Sequence, residues 1–90
     1  GFRVELSEIE FHCKAFLQKI NAAAVTLQNP NGNTEIGLAI ESKEFDTAEM
    51  INYMKTKMPA YMLPTQVIFV EQFPLNSNGK TDRNILKTKF

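Results

Sequence analysis

Ala22-Ala23-Ala24-Val25-Thr26-Leu27-Gln28-Asn29-Pro30-Asn31-Gly32-Asn33-Thr34-Glu35-Ile36-Gly37-Leu38-Ala39-Ile40-Glu41 is the stretch from which the fold can be read. Its first seven residues are rich in small and β-branched side chains. The next five are turn formers: proline holds φ near its turn value, glycine accepts positive φ, and asparagine bonds its own backbone. From Glu35 to Glu41 the side chains alternate, with Ile36, Leu38 and Ile40 on one side and Glu35, Gly37, Ala39 and Glu41 on the other. Two extended runs across so dense a turn form an antiparallel hairpin with one sheltered face. That face must be covered by another element.

The flanking sequence supplies the cover. Ser7-Glu8-Ile9-Glu10 has the form of a capping box, in which the serine oxygen accepts from the third helical amide and Glu10 reaches back to the serine amide. A helix is expected from about Glu8 to Ile20, with Ile9, Cys13, Phe16, Leu17 and Ile20 on one face. Cys13 on that stripe reads as a small buried hydrophobe rather than a nucleophile. His12, the one histidine, lies off the stripe and is expected at the surface. Before the helix, Phe2, Val4 and Leu6 alternate with Arg3 and Glu5, as in a short strand or extended entry segment.

After the hairpin, Asp46-Thr47-Ala48-Glu49 repeats the capping logic. Ile51, Met54 and Met58, flanked by Ala48 and Met50, mark a second amphipathic helix that ends before Pro59. Helical spacing makes these methionines core fillers rather than an adaptable binding surface. Pro59 to Pro64 is a short connector, and the unbroken apolar run Val67-Ile68-Phe69-Val70 within Gln66 to Gln72 suits a central strand covered on both faces. A last short helix from about Asp82 to Lys87, capped by Thr81 or Asp82, packs through Ile85 and Leu86. The expected class is α+β: a small sheet of about three main strands with helices packed against it.

Ninety residues make one small unit, since a chain of this size buries only about 60 to 65 per cent of its unfolded surface. Ten basic and ten acidic residues cancel, so no overall field attracts nucleic acid or an anionic membrane. A single cysteine cannot form an internal disulfide, and no Cys/His cluster has zinc-ligand spacing. No metal ligand is expected. There is no apolar run near the roughly 18 residues of a membrane span, and no signal sequence opens the chain. A cytoplasmic location is the default expectation. The chain begins at Gly1, inside what reads as a motif, so a piece of something larger is expected.

The residues that stand apart from this scaffold are Pro74-Leu75-Asn76-Ser77-Asn78-Gly79-Lys80-Thr81-Asp82-Arg83. Asn76 to Gly79 are turn formers. Lys80 therefore stands on an exposed loop, where a compact charge on a flexible stem can meet phosphate or carboxylate oxygens. On residue type alone, an ordinary solvated lysine fits the position as well.

This segment resembles the closing core motif of adenylate-forming enzymes, of the form PxTxNGKxDR. Gly1-Phe2-Arg3-Val4-Glu5-Leu6-Ser7-Glu8-Ile9-Glu10 resembles their hinge-proximal motif, written GFRIELGEIE in amino-acid-activating members. Met58-Pro59-Ala60-Tyr61-Met62-Leu63-Pro64 resembles the LPxYMxP segment between them. The resemblance covers essentially the whole chain, as the small C-terminal lid subdomain, residues 1–90, of a larger adenylation enzyme. Ser7 replaces the usual glycine and Asn76 the usual threonine, while Val4, Met58 and Thr81 are mild departures. Asn78-Gly79-Lys80 followed by Asp82-Arg83 looks like the amino-acid-activating branch, the peptide-synthetase adenylation domains and D-alanine carrier-protein ligases. Acyl-CoA ligases more often carry serine or threonine before the glycine.

The resemblance implies an enzyme that joins a carboxylate to the α-phosphate of ATP, releases pyrophosphate, and passes the acyl group to a phosphopantetheine thiol. It implies Lys80 as the catalytic cation, with Asn78 and Gly79 forming its loop. It implies Gly1, Phe2 and Arg3 along the thiol's approach, although strand packing and a surface cation account equally for Phe2 and Arg3. ATP and Mg2+ would be held mainly by a larger N-terminal subdomain. The other partners implied are a carrier protein bearing the thiol and an amino-acid substrate, with the ninety residues inactive alone. The alternatives are the C-terminal subdomain of an acyl-CoA synthetase, or a non-enzymatic interaction module presenting Met58, Tyr61 and Met62.

Overall fold

The computed structural model describes residues 5–90. Strand β1 (Ala22–Gln28) and strand β2 (Thr34–Glu41) pair antiparallel, from Ala22 opposite Ile40 to Gln28 opposite Thr34. The turn between them is set by Asn29, whose Oδ1 accepts the amides of Asn31 and Asn33, both at 3.0 Å. Gly32 takes φ 83°, a left-handed angle that glycine adopts without a Cβ penalty.

Strand β3 (Gln66–Val70) lies parallel to β2, with Gly37 opposite Gln66 and Glu41 opposite Val70. The order is β1-β2-β3, so β2 is central and β3 an edge, the reverse of the expectation for the Val67–Val70 run. One side of β2 is already taken by its hairpin partner, which leaves β3 the other side. Its unbroken apolar run reflects cover on two faces: Val67 and Phe69 pack with one cluster, Ile68 and Val70 with the other.

Helix α1 (Leu6–Leu17) and helix α2 (Ala48–Lys55) cover the first face. Ile9, Cys13, Met50 and Met54 are fully buried there against Leu38 and Ile40, and Met58 and Met62 join the same cluster. Each buried Ile, Leu or Met side chain contributes about 1.5 to 3 kcal/mol by leaving water. The methionines are core fillers, as their spacing implied. Their burial also removes Met58 and Met62 from the interaction surface, leaving Tyr61 alone half exposed. Burial raises the Cys13 thiol to about 11, with Glu10 adding slightly and Lys14 opposing, so it stays protonated at neutral pH.

The second face is covered too, which corrects the single sheltered face expected of the hairpin. Ala23 and Ala39 pack against Phe73, against Leu86 of the short helix α3 (Arg83–Lys87), and against Phe90. Small residues allow the approach: a Cβ on Gly37 would sit 2.7 Å from Phe90 Cε1 and 2.8 Å from Leu27 Cδ1.

Boundaries differ in instructive ways. Leu6 already belongs to α1, and residues 1–4 of the expected entry strand lie outside the described residues. The helix stops at Leu17 rather than Ile20 because Gln18 adopts φ 62°. The capping box does not form: the N-cap is Glu5, without a side-chain cap, and Glu10 is engaged elsewhere. At α2 the Asp46 carboxylate accepts the Ala48 amide at 2.9 Å, and at α3 Asp82 rather than Thr81 caps, accepting from Ile85 at 3.1 Å. His12 is half-buried rather than standing free at the surface. Its side chain is 16% exposed, 3.7 Å from Glu8, with the exposed Phe11 ring edge-on to it.

Candidate functional site

After β3 the chain passes Phe73, buried under the sheet, and rises into a narrow hairpin. Its limbs are joined by the Leu75–Thr81 bridge and by the Asp82 amide donating to Pro74 O at 2.8 Å. At the tip the Asn76 amide donates to Lys80 O at 2.8 Å and the Gly79 amide to Asn76 O at 2.9 Å. The Asn76 side chain completes the turn, its Oδ1 accepting from the amides of Asn78 at 2.9 Å and Lys80 at 3.1 Å. Gly79 takes φ 78°.

This is the turn of Asn29–Asn33 built a second time, asparagine at the first position and left-handed glycine at the fourth. Asn76, which departs from the usual threonine, supplies the internal bonding of the loop. Asn78 and Gly79 shape the tip, and Lys80 occupies its last position, fully on the exposed side. Among the described residues, the Lys80 ammonium meets no carboxylate. A self-bonded tip that presents an exposed cation suits the binding of an external anion.

Two carboxylates fasten the root of this hairpin. On the incoming limb, Glu41 Oε2 accepts the Phe73 amide at 2.6 Å while Oε1 accepts the Asn21 side-chain amide at 2.9 Å. These bonds, Phe73 first, hold the Glu41 carboxyl below its ordinary value of 4.5. On the outgoing limb, the Arg83 guanidinium forks onto Glu10 and also donates to Ala24 O at 3.1 Å. An open cleft lined by Glu41, Val70, Glu71 and Gln72 lies beside the first fastening. Its two carboxylates disfavour a nucleotide's phosphates there.

The structure thus brings Asn78, Gly79 and Lys80 together. Gly1, Phe2 and Arg3 lie outside the described residues. Glu10 and Glu41 support the hairpin without any sequence signal that marks them. Glu10 was claimed by a local capping pattern, and Glu41 sits in an alternation that reads as solvent-facing, so neither carries a signal of its distant partner. Among the described residues no group of three His, Cys, Asp or Glu side chains is arranged to hold a metal ion, and no helix is long and apolar enough to cross a membrane.

Residues 15–80 match the family described as the AMP-binding enzyme C-terminal domain. The chain is similar to tyrocidine synthase 3 of Brevibacillus parabrevis, 38% identical over 90 residues, covering 96% of this chain and 1% of that protein. It is equally similar to a dimodular nonribosomal peptide synthase of Bacillus subtilis (strain 168), 38% identical over 88 residues, covering 96% of this chain and 4% of that one. It therefore spans only a small part of the curated relatives it matches. Among solved structures it resembles a four-domain nonribosomal peptide synthetase bound to AMP and glycine, with a TM-score of 0.81 and 30% identity over 93% of this chain and 6% of the other. A fatty acyl CoA synthetase of Mycobacterium tuberculosis shares the fold, with a TM-score of 0.84 and 24% identity over 100% of this chain and 18% of that one.

Proposed function

The chain belongs to the AMP-binding enzyme C-terminal domain family, the small C-terminal subdomain of adenylate-forming enzymes, and on that premise we propose that residues 1–90 form the lid of an ATP-dependent amino-acid-activating ligase. The ligase forms an aminoacyl-adenylate and passes it to the phosphopantetheine thiol of a carrier protein. Both reactants of the first step, carboxylate and α-phosphate, are anions. A cation between them offsets their repulsion, and does so most as negative charge builds in the transition state. Lys80 takes this role. The single observation behind it is the self-bonded, exposed tip that presents Lys80 at its last position.

The larger N-terminal subdomain would hold ATP and Mg2+, and the ninety residues alone would be inactive. Use of ATP by the whole ligase fits a cytoplasmic location. Peptide-synthetase relatives and the asparagine before Gly79 favour amino acids over fatty acids as substrates. In the second half-reaction Gly1 would admit a close backbone approach to the thiol's path, with Phe2 as wall and Arg3 as anchor. Gly1→Trp in the full-length enzyme should then slow thiol transfer and spare adenylation.

The decisive measurement is amino-acid-dependent pyrophosphate exchange by the full-length enzyme carrying Lys80→Ala. Loss of one preorganised charge costs about 3 to 4 kcal/mol, a few hundredfold in rate. Thiol transfer from supplied adenylate should survive. Near wild-type exchange would remove Lys80 from the mechanism.

A further inference from the structure

We propose that Glu41 is a positioning residue for Lys80, a role that rests on the assignment of Lys80 above. Glu41 closes β2, the central strand, and is the point where the sheet grips the incoming limb of the lysine hairpin. β3 ends at Val70, and Glu71 and Gln72 are exposed, so the chain leaves the sheet here. Phe73 re-anchors it twice: the ring is buried under Ala23 and Ala39, and the amide donates to Glu41 Oε2 at 2.6 Å. From Pro74 to Asp82 the hairpin is bonded to itself through the Asp82–Pro74 bond, the Leu75–Thr81 bridge and the Asn76 turn. A body that is stiff from its root to its tip transmits a tilt at the root to the ammonium at the tip.

The ring alone fixes the depth of Phe73 but leaves the strand free to pivot about it. The second bond, to a charged acceptor, restrains that pivot on the incoming limb, as the Arg83–Glu10 pair does on the outgoing one, and charge-assisted bonds are roughly twice as strong as neutral ones. Glu41 is itself held, since its other oxygen accepts the Asn21 side-chain amide at 2.9 Å and its own amide donates to Asn21 O at 2.9 Å. Both oxygens are acceptors, which only a carboxylate can provide. A glutamine keeps an oxygen for the Phe73 amide, but its nitrogen can be met only if the Asn21 amide turns over, and both bonds then lose their charge assistance. The lowered titration of Glu41 agrees with this double use. Displacement of a catalytic group by about 1 Å can cost on the order of a hundredfold, so a modest tilt is enough to be measured.

The test uses the full-length enzyme and four variants: E41Q, E41A, K80A and E41A/K80A. For each, pyrophosphate exchange gives kcat and KM for ATP and amino acid, and supplied adenylate gives the rate of thiol transfer. The expected result is a fall in adenylation kcat of about fivefold for E41Q and about tenfold or more for E41A, with KM values and thiol transfer unchanged. On the K80A background E41A should cause no further loss, because it acts only through Lys80. An undisturbed E41A beside a crippled K80A overturns the role of Glu41 alone, as does a fully multiplicative loss in the double variant. A loss of both half-reactions assigns Glu41 to folding and overturns it likewise. Near wild-type adenylation by K80A overturns the Lys80 assignment, and this one with it.

Discussion

Arg83 and Glu10 stand 73 residues apart in the chain and meet across the edge of the sheet, Nη2 donating to Oε1 at 3.2 Å and Nη1 to the other oxygen. Between them lies Ala24 of β1. Its carbonyl accepts from Arg83 Nη1 at 3.1 Å, and its amide donates to Glu10 Oε2 at 2.8 Å. The pair therefore satisfies both outward backbone groups of an edge-strand residue, and so blunts an edge that would otherwise be open to another strand. It also ties the segment ending at Glu10 to the segment ending at Arg83, so that α1 and the root of the lysine hairpin share one fastening.

Removing Arg83 should cost stability through this fastening. The Glu10 side chain is only 12% exposed, so Arg83→Ala leaves a sheltered carboxylate and an unpaired carbonyl behind. The expected loss is about 1 to 3 kcal/mol, read by urea unfolding. Arg83→Lys keeps the charge but not the planar fork and should fall between the two. Equal stability of all three proteins would show the pair to be ornamental.

The two matching turns offer an internal control. Asn29→Ala and Asn76→Ala each remove an acceptor of two backbone amides from an exposed tip. Similar losses of about 1 kcal/mol in stability are expected. Activity should part them. Asn76→Ala loosens the tip that carries Lys80 and should depress pyrophosphate exchange in the full-length enzyme, while Asn29→Ala should leave it unchanged. Equal effects on exchange would mean that the tip's rigidity is not what matters.

Some of this architecture is legible from residue order because it is local. The burial of Ile9, Cys13 and Met54 follows from helical spacing and the 22–41 hairpin from its turn chemistry, whereas Met50, which reads as a flank, is fully buried, Ile51, on the expected stripe, is only half so, and Met58 is buried beyond the end of α2. The exposed loop at Lys80 follows from its turn formers, and its likeness to a family motif from the whole segment. What could not be read is lateral. An apolar run tells that β3 is covered on two faces, but not that it lies at an edge. Ala23, Gly37 and Ala39 look solvent-facing until Phe73, Leu86 and Phe90 arrive from the far end of the chain. Glu10 offers a capping box, and the stronger partner, Arg83, wins it because a forked charged bond outweighs a helix cap.

Gly37 makes that second cover testable. Its backbone needs no positive φ, so only space forbids a side chain: a Cβ would meet Phe90 Cε1 at 2.7 Å and Leu27 Cδ1 at 2.8 Å. Gly37→Val should therefore destabilise by overpacking, about 1 to 3 kcal/mol. Phe90→Ala on that background should recover part of the loss, because the terminal ring is what the new side chain strikes. Additive losses in the double variant would place the Phe90 ring elsewhere in solution.

The Glu41 clamp also has an acid signature whose sign can be worked out. The folded carboxyl sits below its ordinary 4.5, chiefly through the Phe73 amide and then through Asn21. Below 4.5 the unfolded chain takes up a proton before the folded one does, so stability falls with falling pH through that window. The stabilisation is complete above pH 4.5 and lost once pH drops through the lowered folded value. Glu41→Gln cannot titrate. The stability difference between the native protein and this variant, measured by urea unfolding from pH 7 downward, should hold constant to about pH 5 and then shrink. A difference that stayed the same across the whole range would show that the bonds to Phe73 and Asn21 do not depend on the charge, and the carboxylate would lose its claim to be the grip on the hairpin.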